Sequence, residues 1–373
     1  MFKQGFQILL LSMIAGLITA CNPAKRQGQA NSAATTSEVI MTELSLSYPG
    51  ITATVYEGDN VVWSYAAGYS DLANKTPTTI DTKFNIYSTS KALTGLAFAR
   101  LEQHHDISRK QKIGELINGL PPHLNAISIE QLLSHTSGIR HYQSSSDWLE
   151  YARSSCQTPF DAVSYFSEDA LKFAPGSEEM YSTFAFVLAS AVLVEVTDAD
   201  DFKTALNTSL GDWANFELDG SDVQKSTSYI PLELLPNSLR PEQYTGLEPN
   251  EIIPWLPLSA KCKYGGGGLV ASSKQLARAG AALYQGLIIP TDRLKDIIQP
   301  WSPVSNIVYG GALSINETSS GPITNFELSG GAPGGRSYLY VMIEREISIA
   351  ITANFDGPDI SSASREIASL WGK

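Results

Sequence analysis

The chain has 373 residues, of which 43% are hydrophobic and 17% are charged, a composition typical of a globular protein with one or two domains. Its formal net charge is −12 and no basic patch stands out, which argues against a nucleic-acid partner. The five histidines lack the spacing and the neighbouring ligands of a metal site, so we expect no metal and no cofactor. His135 and His141 are interpreted as ordinary surface or turn residues.

The first 20 residues have the pattern of an export signal. Lys3 precedes an apolar segment at residues 8–18, which has the length of a signal peptide and is shorter than a membrane span. Small residues then precede Cys21, and this arrangement resembles a bacterial lipobox. The resemblance implies a mature chain that begins at Cys21 and is lipid-anchored at the periplasmic or extracellular face of a bacterial membrane. The alternative is a plain secretory signal that contains a cysteine.

The next segments lead into the folded domain. Residues 21–37 are polar and small without an apolar period, so they are predicted to be a flexible tether. The domain is predicted to begin at residue 38. Alternating apolar residues at 49–56 and 61–67, separated by turn residues, predict a strand hairpin.

A strand-like run ends near Tyr87, and a helical pattern begins at Ser88. Lys91 follows one turn later and therefore returns to the same face as Ser88. Burial lowers the pKa of a lysine, and the neutral amine can then act as a base. We predict that Ser88 is a nucleophile and that Lys91 activates it. The alternative is a serine helix cap followed by an unremarkable lysine, because this motif is short.

The middle of the chain, residues 96–264, is predicted to be mostly helical. Apolar residues recur at helical spacing in 129–133 and 159–173, and 184–196 is apolar enough for a buried helix. Residues 215–257 contain six prolines and little periodicity, so we expect a long irregular segment.

The last part is predicted to be rich in strands. After a run of four glycines at 265–268, the pattern indicates helices, four strands with intervening turns, and a closing helix. We expect the N-terminal hairpin to join these strands in one sheet, with the helical block as an insertion. The predicted segments are helices 274–284 and 294–298, strands 307–315, 323–328, 338–343 and 347–354, a glycine-rich turn at 330–335, and helix 361–371. The predicted α/β half of the domain thus consists of residues 38–95 and 265–373, and the helical insertion consists of residues 96–264.

Two cysteines remain besides Cys21. Cys156 and Cys262 could form a disulfide bond in an exported protein, or they could be two separate buried thiols. Both alternatives stay open, because the sequence does not supply the distance between their Cα atoms.

Four motifs together resemble the serine β-lactamase and penicillin-binding-protein superfamily, in its class C and esterase-like branch. The resemblance covers residues 42–371 and implies an α+β fold of the β-lactamase/transpeptidase type. Such a fold has an antiparallel sheet flanked by helices and an inserted, mostly helical subdomain. The motifs are Ser-x-x-Lys at 88–91, Leu-Leu-Ser-His-Thr-Ser-Gly at 132–138, Pro-Gly at 175–176 followed by Tyr-Ser at 181–182, and Gly-Gly-Gly-Leu at 266–269.

The resemblance implies a role for each matching residue. Ser88 corresponds to the acylated nucleophile, Lys91 to the amine that accepts its proton, and Tyr181 to the phenol that passes a proton to the leaving group. The backbone N–H groups of Ser88 and Gly331 correspond to the oxyanion hole.

Two positions depart from the family pattern. Thr183 replaces the asparagine of the Tyr-x-Asn motif, and Leu328 replaces the first residue of the Lys/His-Thr-Gly triplet, which continues here as Ser329 and Gly330. Leu328 can bind no substrate carboxylate, so efficient β-lactam hydrolysis is disfavoured. We expect Thr183, Ser329 and Gly330 to contact substrate, and Arg336 to supply the missing positive charge.

The predicted function is that of an exported serine hydrolase that acts through an acyl-enzyme. Its expected substrate is a small molecule or peptide, namely an ester, an amide or a D-amino-acid peptide, and its expected membrane contact is the lipid on Cys21. Two alternatives remain: a catalytically inactive cell-envelope binding protein of the same fold, and a true β-lactamase. The sequence does not determine the oligomeric state.

Overall fold

The computed structural model describes residues 23–104, 106–220, 223–235, 242–244, 246–248, 250–255, 260–296, 300–304, 308–309, 314–315 and 325–372. The predicted signal peptide and Cys21 lie outside these residues.

The strands of the described chain form one large sheet and two small ones, all of them antiparallel. The strands are β1 (Gly50–Glu57), β2 (Asn60–Asp71), β3 (Thr76–Pro77), β4 (Phe84–Asn85), β5 (Glu217–Leu218), β6 (Tyr229–Pro231), β7 (Ile252–Pro254), β8 (Leu269–Ala271), β9 (Val308–Tyr309), β10 (Ser314–Ile315), β11 (Asn325–Ala332), β12 (Gly335–Met342) and β13 (Ile347–Ala353).

The large sheet unites the two ends of the chain. Its order is β3-β2-β1-β13-β12-β11-β10-β9, and β1 pairs with β13 from Ile51 opposite Ala353 to Glu57 opposite Ile347. The smaller sheets are β4-β8-β5 and β6-β7. The prediction that the N-terminal hairpin joins the C-terminal strands in one sheet is therefore confirmed.

Helices surround the sheet and fill the middle of the chain. Short 3-10 segments connect several of them, and two of these segments, Tyr87–Thr89 and Lys261–Gly266, contribute to the site described below. The helices are α1 (Pro23–Ser45), α2 (Ser90–Gln103), α3 (Pro122–Asn125), α4 (Ile129–Leu133), α5 (Ser145–Ala152), α6 (Pro159–Val163), α7 (Thr183–Thr197), α8 (Phe202–Leu210), α9 (Ser273–Tyr284) and α10 (Ser361–Trp371).

Both faces of the central strands are buried. Alternate residues of β13, such as Ile349 and Ile351, pack with Met41 of α1 and Ile367 of α10. The intervening Ala350 belongs to the larger apolar core, which also contains residues of α9. Because strand side chains alternate between faces, β13 is apolar or small throughout. The α+β fold with an antiparallel sheet flanked by helices is confirmed.

Helix α7 forms the centre of the helical region. It is buried from Thr183 to Leu193, as its almost continuous apolar sequence predicts. It packs against α2, α4, α6 and α8, and also against the 3-10 segment Lys261–Gly266. This packing fixes the positions of the segments that reach the site.

The prediction of a flexible tether up to residue 37 is wrong for residues 23–37, which form the first part of α1. Ala33, Ser37 and Met41 recur at intervals of four and are buried on one face of the helix. The indole N–H of Trp371 donates to Ser37 Oγ at 3.2 Å, which joins α1 to α10. Small residues at the contact permit close packing without the strong apolar stripe that sequence patterns reveal.

Several predicted segments have different boundaries in the structure. The predicted helix at 159–173 is limited to α6, and the predicted strand at 307–315 contains two short strands that pair with each other. The irregular segment 215–257 contains β5, β6 and β7. Gly330 and Gly331 belong to β11, so the turn consists of Pro333 and Gly334, where Gly334 has a φ of +93°.

The structure joins Cys156 and Cys262 in a disulfide bond, with Cα atoms 5.4 Å apart. The bond links the loop before α6 to the 3-10 segment Lys261–Gly266. Within the described residues, no helix combines the length and the apolar composition needed to cross a membrane.

Candidate active site

Ser88 lies in the 3-10 turn Tyr87–Thr89, between β4 and the start of α2. Tyr87 has a φ of +44°, a left-handed conformation that is uncommon for a residue with a side chain. Such strain persists where the surroundings hold it, and it is frequent at functional sites. The turn brings Ser88 to the wall of a cavity of about 1000 Å³, which Tyr181 and Gly331 also line.

Two polar groups converge on the Ser88 hydroxyl. Its Oγ is 2.5 Å from the phenolic oxygen of Tyr181, and it accepts a hydrogen bond of 3.2 Å from Lys91 Nζ. Tyr181 is 93 residues away along the chain, so the fold is responsible for this contact. The structure therefore brings together the three residues that the sequence analysis predicted to be catalytic.

Lys91 is almost fully buried, with 1% of its surface exposed. Besides Ser88, its Nζ donates to the carbonyl oxygen of Gly266 at 2.5 Å and to Thr183 Oγ1 at 3.4 Å. Burial lowers the pKa of the Lys91 amine, although Tyr181 opposes this effect. A lysine with a lowered pKa reaches its neutral, basic form more readily than an exposed one.

Tyr181 has its ring partly exposed, at 37% of the residue surface, while its hydroxyl faces Ser88. Burial raises the pKa of the Tyr181 hydroxyl, but the charge of Lys91 and hydrogen bonds from Lys91 and Ser88 outweigh this effect. The net result is a pKa below the ordinary tyrosine value. This phenol is consequently suited to exchange a proton with its neighbours.

Two histidines position the segment that carries Tyr181. His135 Nδ1 accepts the backbone N–H of Ser182 at 3.0 Å, and His141 Nδ1 accepts that of Thr183 at 3.2 Å. Their rings contact the Tyr181 ring, with centroids 4.6 and 5.2 Å away. Burial and the charge of Lys91 lower both pKa values, that of His141 to about 4, so both rings are neutral at pH 7.

The prediction that these histidines are ordinary surface or turn residues is therefore confirmed only in part. His135 is 1% exposed and has a φ of +59°, so it does lie at a tight turn, but that turn is buried beside Tyr181. The Leu-Leu-Ser-His-Thr-Ser-Gly motif contained a signal for His135, since the histidine lies two residues after Leu133, the buried end of α4.

Strand β11 runs beside the turn that holds Ser88. A Cβ atom added to Gly330 would lie 2.1 Å from the carbonyl oxygen of Ile86 and 2.9 Å from the backbone nitrogen of Thr89. Glycine therefore permits the close approach of the two backbones. Gly331 follows and lines the cavity together with Ser88, which is where the predicted oxyanion donors should lie.

The structure distributes the predicted substrate-binding residues among different environments. Thr183 and Ser329 line the cavity, as does Leu328. Gly330 instead packs against the Ser88 turn, because its backbone is too close to leave room for a ligand. Arg336 is held 3.0 Å from the Asp356 carboxylate and is absent from the cavity lining, which contradicts its expected role there.

Sequence reasoning missed two contributions from the segment Lys261–Gly266. The carbonyl oxygen of Gly266 accepts from Lys91, although Gly266 was noted only as part of a shared glycine motif. Lys263 lines the cavity and is buried, and no pattern in the sequence singled it out. Among the described residues, no cluster of three or more His, Cys, Asp or Glu side chains is placed to hold a metal ion.

The arrangement has the parts required for nucleophilic catalysis. A hydroxyl at a cavity wall contacts a buried amine and a phenol whose pKa values are both lowered. Backbone N–H groups of a tight turn and a neighbouring strand lie beside it.

Comparison with known proteins supports the α+β fold described above. A penicillin-binding protein of Bacillus subtilis (strain 168) is 27% identical over 158 residues, which are 41% of this chain and 34% of that protein. The match thus spans about a third of that relative's length. The crystal structure of a penicillin binding protein from Bacillus halodurans has a TM-score of 0.74 at 19% identity, covering 90% of this chain and 98% of the other.

A D-amino acid amidase from Ochrobactrum anthropi SV3 has a TM-score of 0.68 at 20% identity, covering 92% and 97% of the two chains. The family model described as Beta-lactamase matches residues 37–370. This match extends over most of the sequence and includes every residue of the site. The chain therefore belongs to the beta-lactamase family.

Proposed function

We propose that this protein is a serine hydrolase that forms an acyl-enzyme on Ser88. The observation that carries the proposal is the convergence of Lys91 Nζ and the Tyr181 hydroxyl on the Ser88 oxygen, at 3.2 and 2.5 Å. A purely structural serine would need neither a buried amine nor a phenol of lowered pKa beside it.

The proposed reaction has two stages. Ser88 Oγ attacks the substrate carbonyl carbon while Lys91 accepts its proton, and the N–H groups of Ser88 and Gly331 stabilise the oxyanion. The tetrahedral intermediate then expels its leaving group, which takes a proton from Tyr181. Water, activated by the same groups, attacks the acyl-enzyme and releases the acid.

We propose an ester, an amide or a D-amino-acid peptide as the substrate. The amidase named above supports this range, because it has a similar fold. Leu328 argues against an efficient β-lactamase, since it occupies the position of the Lys/His-Thr-Gly triplet's first residue and its apolar side chain cannot bind a β-lactam carboxylate there.

We also propose that the protein is exported and anchored through lipid on Cys21. The apolar N-terminal segment and the small residues before Cys21 support this proposal. The Cys156–Cys262 disulfide is consistent with it, because disulfides persist mainly in oxidising compartments. Globomycin inhibition of processing, with a Cys21→Ser variant as the control, would test the anchor; unchanged processing of the native chain would contradict it.

The central experiment measures turnover of p-nitrophenyl esters by the native protein and by Ser88→Ala. Ser361→Ala is a matched control, because it removes a hydroxyl from the same cavity that does not contact the reactive cluster. We expect turnover to be lost in Ser88→Ala and kept in Ser361→Ala, and a fluorophosphonate probe to add mass to Ser88 alone. Equal turnover in Ser88→Ala would favour a binding protein, whereas rapid nitrocefin hydrolysis would favour a β-lactamase.

A further inference from the structure

A second buried lysine lines the same cavity as Ser88. Lys263 belongs to the 3-10 segment Lys261–Gly266 and is 7% exposed. Within the described part of the chain, its amine forms neither an ion pair nor a hydrogen bond. Lysines are rarely this buried unless their charge is paired, because removing an ammonium group from water is unfavourable. The absence of a partner therefore needs an explanation.

Aromatic rings surround the Lys263 amine. Its Nζ lies 5.0 Å from the ring centroid of Trp148, 5.7 Å from that of Tyr87 and 5.9 Å from that of Tyr142. The faces of such rings attract a cation. They accept no ordinary hydrogen bond, however, so the three N–H donors of the ammonium group remain available to a ligand in the cavity.

The carboxylate that raises the pKa of Lys263, that of Asp219, already has other partners. Asp219 favours the charged form of Lys263, but it lies 3.1 Å from Lys225 and accepts the backbone N–H of Ala260 at 2.7 Å. Burial and the charge of Lys91 lower the pKa of Lys263 to about 8, so the amine is still mostly protonated at pH 7.

The other charges in the cavity lining are already paired. Arg365 forms two hydrogen bonds with Glu327, at 2.6 and 2.8 Å. Asp359 accepts hydrogen bonds from the backbone and the hydroxyl of Ser361. Of the lining side chains that the structure describes, Lys263 is therefore the cation that an incoming anion can reach without breaking an existing pair.

We propose that Lys263 is the anion-binding residue of this site, and that the substrate carries a carboxylate close to its scissile ester or amide bond. The proposal rests on the proposed hydrolase function and narrows it. Tyr87, whose ring faces the amine, directly precedes Ser88, and Gly266 of the same segment binds Lys91. The anion site is thus built next to the nucleophile. The proposal excludes substrates whose only charge is an ammonium group placed beside the Lys263 amine.

The test compares two esters of similar length, mono-p-nitrophenyl glutarate, which is anionic, and p-nitrophenyl pentanoate, which is neutral. We expect the native protein to prefer the anionic ester in kcat/KM by about tenfold or more, the effect of one charged hydrogen bond. Lys263→Met should abolish that preference, and Lys263→Arg should retain part of it. Lys110→Met, which removes an exposed lysine outside the cavity lining, is the control and should behave like the native protein.

Two results would overturn the proposal. One is a native protein that hydrolyses both esters without preference for the anionic one. The other is a Lys263→Met variant in which both esters slow by the same factor, since this would indicate a structural role. Circular dichroism and thermal unfolding of each variant separate either result from misfolding.

Direct binding distinguishes failure of this proposal from failure of the proposed function. In Ser88→Ala, the fluorescence of Trp148 beside Lys263 should report binding of monomethyl glutarate, with dimethyl glutarate as the neutral probe. We expect the monoanion to bind about tenfold more tightly than the diester, and Lys263→Met to remove the difference. If the native protein hydrolyses neither ester but this difference is present, the hydrolase proposal fails and the anion site stands. Equal binding of both probes refutes the anion site.

Discussion

Replacing Gly330 by alanine tests whether β11 must lie directly against the turn that carries Ser88. The added Cβ would lie 2.1 Å from the carbonyl oxygen of Ile86 and 2.5 Å from Ser337 Oγ. Real Cβ atoms essentially never approach other atoms closer than 3.0 Å, so the strand and the turn must separate by about 1 Å. Both neighbours are buried, and the Ile86 contact is backbone, which cannot rotate away.

The separation should affect activity more than stability. It moves the N–H of Gly331 relative to Ser88, and a misplacement of about 1 Å can reduce a catalysed rate by roughly 10²-fold. Loss of one oxyanion donor has an effect of similar size, about 10²- to 10³-fold in kcat. The overpacking itself should lower the free energy of unfolding by about 1–3 kcal/mol.

Gly331→Ala is the matched control. A Cβ at Gly331 would have Arg336 as its nearest neighbour, 3.9 Å away, and the substitution keeps the backbone N–H. We expect kcat for a p-nitrophenyl ester to fall about 10²-fold in Gly330→Ala and far less in Gly331→Ala, with urea unfolding measured for both. Native-like kcat in Gly330→Ala, or equal losses in the two variants, would refute the reasoning.

Three further variants test other parts of the structure. Lys263 has a pKa of about 8 in the folded protein against 10.5 ordinarily, so the unfolded chain binds more protons between these values and stability rises with pH across that window. Lys263→Met should therefore raise the free energy of unfolding at pH 7, by at most roughly 3 kcal/mol; an unchanged urea midpoint would contradict this. The double variant Cys156→Ser/Cys262→Ser removes a cross-link between residues 106 positions apart and should cost about 2–5 kcal/mol of stability. Unfolding with and without reductant checks this, and identical curves would be evidence against a formed disulfide. Thr183→Val removes a hydroxyl 3.4 Å from Lys91 Nζ and should lower kcat by about tenfold or less; full activity would show that this contact is dispensable.

Local patterns predicted the parts of the fold that local interactions determine. The alternation in residues 49–67 gave strands close to their observed limits, and the predicted helix 274–284 corresponds to α9, which Ser272 caps together with Gln275 in a capping box. Helix α1 was missed because Ala33 and Ser37 are small and bury little apolar surface. Its packing depends on α10, which follows more than 300 residues later, and no local pattern contains that information.

Local sequence patterns likewise indicated some residues of the candidate site and not others. Ser88 and Lys91 lie one helical turn apart, so their spacing alone indicated a pair. The contribution of Tyr181 came from the resemblance to a family, and chain topology then supplied the contact. Lys263 was not predictable, because the rings around it come from separate segments and because Tyr264 adopts a φ of +41° that no motif encodes.

The pH dependence of activity follows from the proximity of the two buried lysines. Lys91 acts as a base only when neutral, so kcat/KM should rise with pH and level off below the ordinary lysine range, because burial lowers its pKa. The charge of Lys91 lowers the pKa of Lys263, and an electrostatic interaction between two groups is mutual. A charged Lys263 therefore favours the neutral, basic form of Lys91.

Removing that charge in Lys263→Met should let Lys91 hold its proton to a higher pH. Because Lys263 is itself charged mainly below about pH 8, we expect kcat/KM for the neutral ester to fall in Lys263→Met below that pH, to approach the native value above it, and to be unchanged throughout in Lys110→Met. His135 and His141 are already neutral at pH 7 and remain so above it, so their titration does not alter kcat/KM in this pH range. Native-like or higher kcat/KM for Lys263→Met below about pH 8 would show that the two amines do not interact. The anion-binding charge and the catalytic base would then be independent features of the site.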